Sequence, residues 1–131
     1  MAPARIQTGS IIWAKVTDPL TQAELEPHAA IVLNPQHEID AGSDLDVYVC
    51  TTSFRNRQPG WFDVPTKPGG HEMTGLDQAC VVKATWHNVV PQAKVLRISG
   101  RAPSRLFKQL QNWLADKERE RFRKQRTPPS S

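Results

Sequence analysis

Prolines and glycines divide the apolar segments of this chain into short pieces, and no other feature limits its fold as strongly. The 131 residues include eleven prolines and seven glycines. Proline lacks the backbone N–H that a helix interior or a central strand needs, and both residue types favour turns. The pattern therefore predicts one domain of short strands and turns rather than a helical bundle.

Six segments between these turns have the composition of strands. Residues 45–54 are rich in β-branched and aromatic side chains and give the strongest strand signal in the sequence. Residues 29–34 are almost entirely apolar, so we expect that strand to be buried on both faces. The polar segments 17–27 and 36–44 are predicted to be loops. The predicted strands cover residues 10–16, 29–34, 45–54, 61–64, 78–85 and 93–98.

The C-terminal segment has a helical period. The apolar residues that share one helical face are Leu106, Leu110, Trp113 and Leu114. Ser104 precedes them at an N-cap position, and we expect the helix to continue through Arg119 or beyond. Short strands followed by one helix predict a mainly β domain, a strongly bent sheet or barrel whose open side is covered by the helix.

The positive charge of the chain is concentrated at its C-terminus. The formal net charge is +4, and residues 117–126 alone hold six basic and two acidic residues. Residues 16–54 contain seven acidic residues and no lysine or arginine, whereas residues 81–126 contain twelve basic and three acidic residues. Such an asymmetry could steer a polyanion to one side of the molecule. The alternative is an ordinary solvated helix end.

Several classes of protein are excluded by the sequence. No apolar run approaches the roughly 18–20 residues of a membrane helix. Residues 1–10 lack the basic-then-apolar order of a signal peptide, so we expect a cytoplasmic protein without a membrane partner. Cys50 and Cys80 are too few for a disulfide framework and lack metal-ligand spacing, which predicts buried, reduced thiols and no metal or cofactor.

Six pieces of the sequence follow one another in an order that matches a known family. They are residues 9–13, 28–34, 49–53, 62–65, 74–76 and 81–84, followed by a turn near residues 98–101 and the final helix. In this order and spacing, the chain between Gly9 and about Leu114 resembles the PemK/MazF family of toxin endoribonucleases. No single piece is specific, and the collinear series carries the resemblance.

The resemblance implies a fold, an activity and partners. The fold would be a small SH3-like barrel of five to seven short strands with a C-terminal α-helix, over residues 9–116. Residues 1–8 would be a flexible N-terminus, and residues 117–131 a basic helix extension with a disordered tail. The activity would be cleavage of single-stranded RNA without a metal, leaving a cyclic phosphate. The partners would be a second copy in a homodimer and a cognate antitoxin that inhibits the enzyme.

The resemblance also implies catalytic residues. RNA cleavage without a metal needs a base for the 2′-OH, an acid for the leaving 5′-oxygen and donors for the phosphorane. His28 stands where the family typically has arginine, and an imidazole transfers protons well near neutral pH. Thr52 and Ser53 stand where the family places a hydroxyl residue near the scissile phosphate. Lys83 matches a basic family position.

Further side chains are candidates for RNA binding. These candidates are Arg55, Arg57, Trp61, His71, Thr85 and His87. The arginines could hold phosphates, and the aromatic rings, with Trp86, could stack on bases. Thr85 falls where some family members carry a catalytic aspartate, and threonine cannot act as a base unaided. His87 could replace it if the strand continues.

Structural alternatives accompany these assignments. His28 could serve only packing or hydrogen bonding, Trp61 and Trp86 could be core residues, and Lys83 could extend to solvent. Because the usual arginine and aspartate are absent, the chain could also be a catalytically degenerate family member that binds nucleic acid or protein. A third hypothesis is an interaction subunit whose basic helix docks an acidic partner.

Overall fold

A computed structural model describes residues 5–126 of the chain, without the side chains of residues 124–126. Parts of the predicted flexible N-terminus and disordered tail, residues 1–4 and 127–131, lie outside the described residues. The elements in chain order are β1 (Ser10–Thr17), β2 (Glu24–Val32), α1 (Gln36–Asp40), β3 (Leu45–Thr51), β4 (Trp61–Val64), β5 (Cys80–Val90), a 3₁₀ turn (Gln92–Lys94), β6 (Arg97–Arg101) and α2 (Ser104–Arg126).

The six strands form one antiparallel sheet in the order β4-β5-β3-β2-β1-β6. The prediction of a mainly β fold with a C-terminal helix is confirmed. Within the described residues the edge strands β4 and β6 do not pair, so the sheet is not closed into a barrel. Irregular pairing in β1 and between Tyr48 and Cys50 of β3 gives the sheet its local bends.

The sheet buries both of its faces, because side chains alternate along each strand. On one face, Ile11 and Ile31 pack with Leu106 and Leu110 of α2. On the other face, the neighbouring residues of the same strands form a second cluster with Ile39 of α1. Full burial of these aliphatic side chains is the main source of stability of the sheet, at about 1.5–3 kcal/mol for each side chain.

Several elements differ from the predictions: β3 ends at Thr51 instead of residue 54, and β5 runs to Val90 instead of residue 85. β2 begins at Glu24, inside the predicted loop, because its first residues pair with the end of β1. Pro27 is tolerated there because the pairing of β2 with β3 starts only at Ala30, so the missing N–H of Pro27 breaks no hydrogen bond on that side. The predicted loop 36–44 contains α1, and the predicted strand 93–98 is a 3₁₀ turn followed by β6.

The helix α2 begins at Ser104, within one residue of its predicted start, and extends to Arg126. The Phe107 N–H donates to the Pro103 carbonyl at 3.0 Å, so the N-cap is Pro103, one residue earlier than predicted. Leu106 and Leu110 are buried, and every described side chain from residue 115 onward is exposed. Neither helix of residues 5–126 is long and apolar enough to cross a membrane.

A loop between β4 and β5 is fixed onto β6 by close backbone contacts. A Cβ at Gly75 would overlap the Ser99 carbonyl, and Gly75 has a φ of +71°. The Ser99 hydroxyl donates to the Thr74 carbonyl at 2.9 Å, and the buried Thr74 hydroxyl donates to the Pro65 carbonyl at 2.7 Å. This loop forms one wall of the cleft described next.

Candidate active site

A cleft of about 520 Å³ opens between the middle of β2, the end of β3 and the start of β5. Its size falls in the range of small-molecule and substrate sites. The polar side chains among its lining residues are His28, Thr51, Thr52, Asp77, Gln78 and Arg97. Of the predicted catalytic residues, the cleft therefore brings together His28 and Thr52, while Ser53 and Lys83 lie outside its lining.

His28 has one ring nitrogen available for proton transfer. Its Nδ1 lies 2.7 Å from the carbonyl oxygen of Glu26. A carbonyl oxygen can only accept a hydrogen bond, so Nδ1 carries the proton. In the neutral ring Nε2 then has the free lone pair. This tautomer allows Nε2 to act as a base or, once protonated, as an acid.

Trp86 holds the ring of His28 from the side. The two ring centroids are 5.5 Å apart at an interplanar angle of 62°, an edge contact. Trp86 is buried, and its indole N–H donates to the Thr17 carbonyl at 3.0 Å. A buried, hydrogen-bonded indole is a fixed wall of the site, so core packing describes Trp86 better than base stacking.

The end of β3 supplies a hydroxyl residue that the sequence analysis missed. Thr51 lines the cleft beside Thr52, and its Oγ1 accepts the Ser53 N–H at 3.1 Å. Continuing the β2–β3 register beyond its terminal pair, Ala30 with Val49, places Thr51 opposite His28 on the same face. Strand alternation was the signal that could have identified Thr51 in advance.

Lys83 contacts the site indirectly. Its Nζ lies 4.2 Å from the ring centroid of Trp61 and 5.6 Å from that of Trp86. Trp86 therefore contacts both His28 and Lys83, one on β2 and one on β5. Trp61 is half-buried against the ammonium group, and a cation over an indole face is a stabilising contact of about 0.5–2 kcal/mol.

Arg57 and His71, two of the predicted RNA-binding residues, bind groups within the protein. Arg57 forms an ion pair with Asp63 at 2.7 Å and donates to the Trp61 carbonyl at 3.3 Å, which ties its loop to β4. His71 accepts two backbone N–H groups at Nδ1, from Met73 at 3.0 Å and Thr74 at 3.3 Å. Both side chains thus hold turns next to the cleft, and neither lines it.

The remaining RNA-binding candidates are exposed. Arg55 lies in the loop after β3, and Thr85 lies on β5. His87 pairs through Nε2 with Asp46 at 3.0 Å and contacts the ring of Tyr48 at 5.3 Å. Burial, with the nearby Asp46 carboxylate, raises the pKa of Tyr48. None of these three candidates is among the residues that line the cleft.

The cleft has a cation that the sequence analysis did not propose. Arg97 of β6 pairs in register with Trp13 of β1, and its guanidinium carbon lies 4.9 Å from the Trp13 ring centroid. Both residues line the cleft, and Arg97 is exposed. A guanidinium stacked on an indole keeps its N–H donors available for a phosphate. Only the β1–β6 pairing reveals this residue, since β6 begins four residues later than predicted.

The described residues hold no cluster of three histidine, cysteine, aspartate or glutamate side chains that could bind a metal ion. Asp77 is the acidic residue in the cleft lining, and it is exposed at the end of the loop. The cleft therefore offers an imidazole, two threonine hydroxyls, a guanidinium and a carboxylate. These are groups that move protons and bind phosphates.

Comparison with known proteins identifies the fold. No family model matches the sequence, and no curated protein matches it. Among solved structures, a chain of a MazE–MazF crystal structure (Form-III) from Deinococcus radiodurans is similar, with a TM-score of 0.60 and 16% identity over 86% of this chain and 95% of that chain. A Form-II crystal structure from the same organism gives a TM-score of 0.55, 16% identity, and coverages of 86% and 94%. The chain therefore has a MazF-like fold, as its resemblance to PemK/MazF predicts.

Proposed function

We propose that this chain is a toxin-type endoribonuclease that cleaves single-stranded RNA without a metal and leaves a cyclic phosphate. The observation that carries the proposal is the position of His28, whose Nε2 is free for proton transfer in a cleft with Thr51, Thr52 and Arg97. The MazF-like fold supports it. RNA as the substrate would place the protein in the cytoplasm.

His28, the two threonines and Arg97 each have a role in the proposed reaction. Nε2 of His28 takes the proton of the ribose 2′-OH, and the resulting oxygen attacks phosphorus to form the cyclic phosphate. The hydroxyls of Thr51 and Thr52 donate hydrogen bonds to the phosphorane oxygens, and Arg97 binds a phosphate of the RNA chain. The bond from phosphorus to the 5′-oxygen then breaks, and the leaving oxygen takes up a proton from the protonated Nε2 of His28 or from solvent.

We also propose an antitoxin partner and a homodimer. The solved structures with the same fold are MazE–MazF structures, so a protein of the MazE kind is the partner to be tested. Acidic segments of such a partner would be attracted to the basic end of this chain, where residues 81–126 hold twelve basic and three acidic residues. Copurification and mass measurement of the native complex would test both assemblies.

The nuclease proposal is tested by incubating the purified full chain with single-stranded RNA in EDTA and analysing the new ends. We expect cyclic phosphates. Replacing His28 with alanine should lower the rate by about 10²–10⁴-fold, the usual size of a general acid–base contribution. His37→Ala is the matched control, because His37 is exposed on α1, and it should leave the rate unchanged. Equal rates in wild type and His28→Ala would exclude His28 from the reaction.

A binding module is the second candidate function. It is favoured by two departures from the related family, the histidine at position 28 in place of arginine and Thr85 in place of aspartate. It predicts RNA binding without cleavage, with an affinity that falls steeply as the salt concentration rises. Under that outcome His28→Ala would alter affinity and produce no cyclic phosphate at any protein concentration.

A further inference from the structure

Two thiols lie together at the floor of the cleft. Cys50 of β3 and Cys80 of β5 both line it, both are buried, and both are free. Cys50 pairs with Val82, two residues from Cys80, so the two cysteines are diagonal neighbours on the same face of the sheet. The proposed RNA chemistry makes no use of either thiol.

The two thiols are inequivalent. The Cys50 thiol donates a hydrogen bond to the sulfur of Cys80 and thereby lowers the pKa of Cys80, although burial opposes the shift. The same hydrogen bond, together with burial, raises the pKa of Cys50 well above its ordinary value. Cys80 is therefore the sulfur that ionises first, and it is also the more exposed of the two, at 8% against 3%. A thiolate is the nucleophilic form of cysteine.

We propose that Cys80 is a modification site, at which small hydroperoxides entering the cleft oxidise the thiol. The Cys80 thiolate attacks one oxygen of hydrogen peroxide, an S–O bond forms, and the O–O bond breaks. Hydroxide leaves and takes a proton from solvent to become water. Cys80 loses two electrons and becomes a sulfenic acid, and the peroxide is reduced.

Because Cys80 lines the cleft, its oxidation would change the surface on which the proposed substrate lies. The new oxygen adds a polar group to a surface shared with Thr52 and Gln78, where the proposed substrate would lie. We expect the oxidised chain to bind and cleave RNA less well. This consequence rests on the proposed function, whereas the oxidation itself does not.

The test uses the full, reduced chain treated with hydrogen peroxide in the presence of dimedone, a trap for sulfenic acids, and peptide mass spectrometry. We expect dimedone on the peptide that contains Cys80, and complete loss of this label in Cys80→Ser. A disulfide, formed when Cys50 attacks the Cys80 sulfenic acid and water leaves, also requires Cys80 and would support the proposal. Labelling of Cys50 instead, or labelling only in denaturant, would overturn it.

A second variant tests the role of the thiol pair. Cys50→Ala removes the hydrogen bond to Cys80 and retains the Cys80 sulfur, so the pH midpoint of labelling should move upward. An unchanged midpoint would contradict the inferred activation by Cys50. RNA cleavage is measured on the same samples. Labelled Cys80 with unaltered cleavage would preserve the modification site and overturn its effect on the reaction, whereas unlabelled protein that cleaves RNA would overturn the site alone.

Discussion

The cleft and the exposed end of α2 differ in what their polar side chains do. At the end of α2, Lys117 pairs with Glu120 at 3.4 Å and Arg119 pairs with Asp116 at 2.9 Å, all within one exposed helix. In the cleft, Arg97 stacks on Trp13 and His28 presents Nε2. The net positive charge of the chain thus lies on α2, where the charged side chains pair with one another. The candidate proton-transfer and phosphate-binding groups lie in the cleft, which has little net charge.

This difference shows that the pattern of charges in a sequence can indicate a charged surface but does not identify catalytic residues. Exposed ion pairs within a helix contribute about 0.3–0.5 kcal/mol each and are screened by salt. A proton-transfer group instead depends on how its ring is oriented. The ring of His28 is held in place by Trp86 and by the Glu26 carbonyl. We therefore expect substitutions of His28 and of the two threonines to change the rate of cleavage, and truncation of α2 to change only non-specific binding.

The largest expected effect is the loss of stability when Gly75, in the wall of the cleft, is replaced. Gly75→Ala would place a Cβ against the Ser99 carbonyl at a positive φ, and should lower the free energy of unfolding by roughly 2–4 kcal/mol. Gly69→Ala is the matched control, since Gly69 has a φ of +87° with no atom within 4 Å of an added Cβ. It should cost about 1–2 kcal/mol, from the backbone alone. Denaturant unfolding would measure both, and equal losses would contradict the close contact.

The next effect concerns the two threonines. Thr51→Val should lower the cleavage rate by about 10–100-fold, because a donor to the phosphorane is lost where the strand register places it opposite His28. Thr52→Val, the neighbouring hydroxyl on a segment outside the strand, should have a smaller effect. Single-turnover cleavage distinguishes them. A larger loss at Thr52 than at Thr51 would favour the sequence prediction over the register.

A smaller effect is expected at Arg97. Arg97→Ala should weaken RNA binding by about tenfold, the size of one charge-assisted contact, while the pH dependence of cleavage stays the same. Arg55→Ala is a suitable control, because Arg55 is an exposed arginine outside the cleft lining. If Arg55→Ala weakens binding as much as Arg97→Ala, the stacked guanidinium has no special role.

The smallest expected effect follows truncation after Asp116. The truncation retains Leu106, Leu110 and the half-buried Trp113 and Leu114, so the fold should persist. Non-specific RNA affinity should fall at low salt, and the difference should vanish as salt rises. The cleavage rate with saturating RNA should stay within about threefold of wild type. A loss of cleavage as large as that of Thr51→Val would show that α2 takes part in the reaction.

The sequence predicts most of the fold because short apolar runs between turns specify strands directly. The strand 61–64 agrees with the structure, and α2 begins within one residue of its predicted start. Local patterns do not reveal long-range pairing, which is why β2 was predicted too short and the open edge between β4 and β6 was not foreseen.

The site was predicted only in part for the same reason. His28 and Thr52 could be found from the PemK/MazF resemblance, since each lies in one of the collinear pieces, 28–34 and 49–53. Thr51 and Arg97 depend on strand register and on a neighbouring strand, neither of which a local pattern supplies. His71 shows the opposite case, because an exposed glycine-rich segment suggests a free ring, whereas Nδ1 accepts two backbone N–H groups.

The account depends most on the free Nε2 of His28, which nitrogen NMR of the histidine-labelled full chain measures directly. The neutral ring of His28 should carry its proton on Nδ1, held by the Glu26 carbonyl. His71 is an internal reference with the opposite tautomer, protonated on Nε2, because its Nδ1 accepts hydrogen bonds. A His28 ring protonated on Nε2 in its neutral form would contradict the proposed proton transfer.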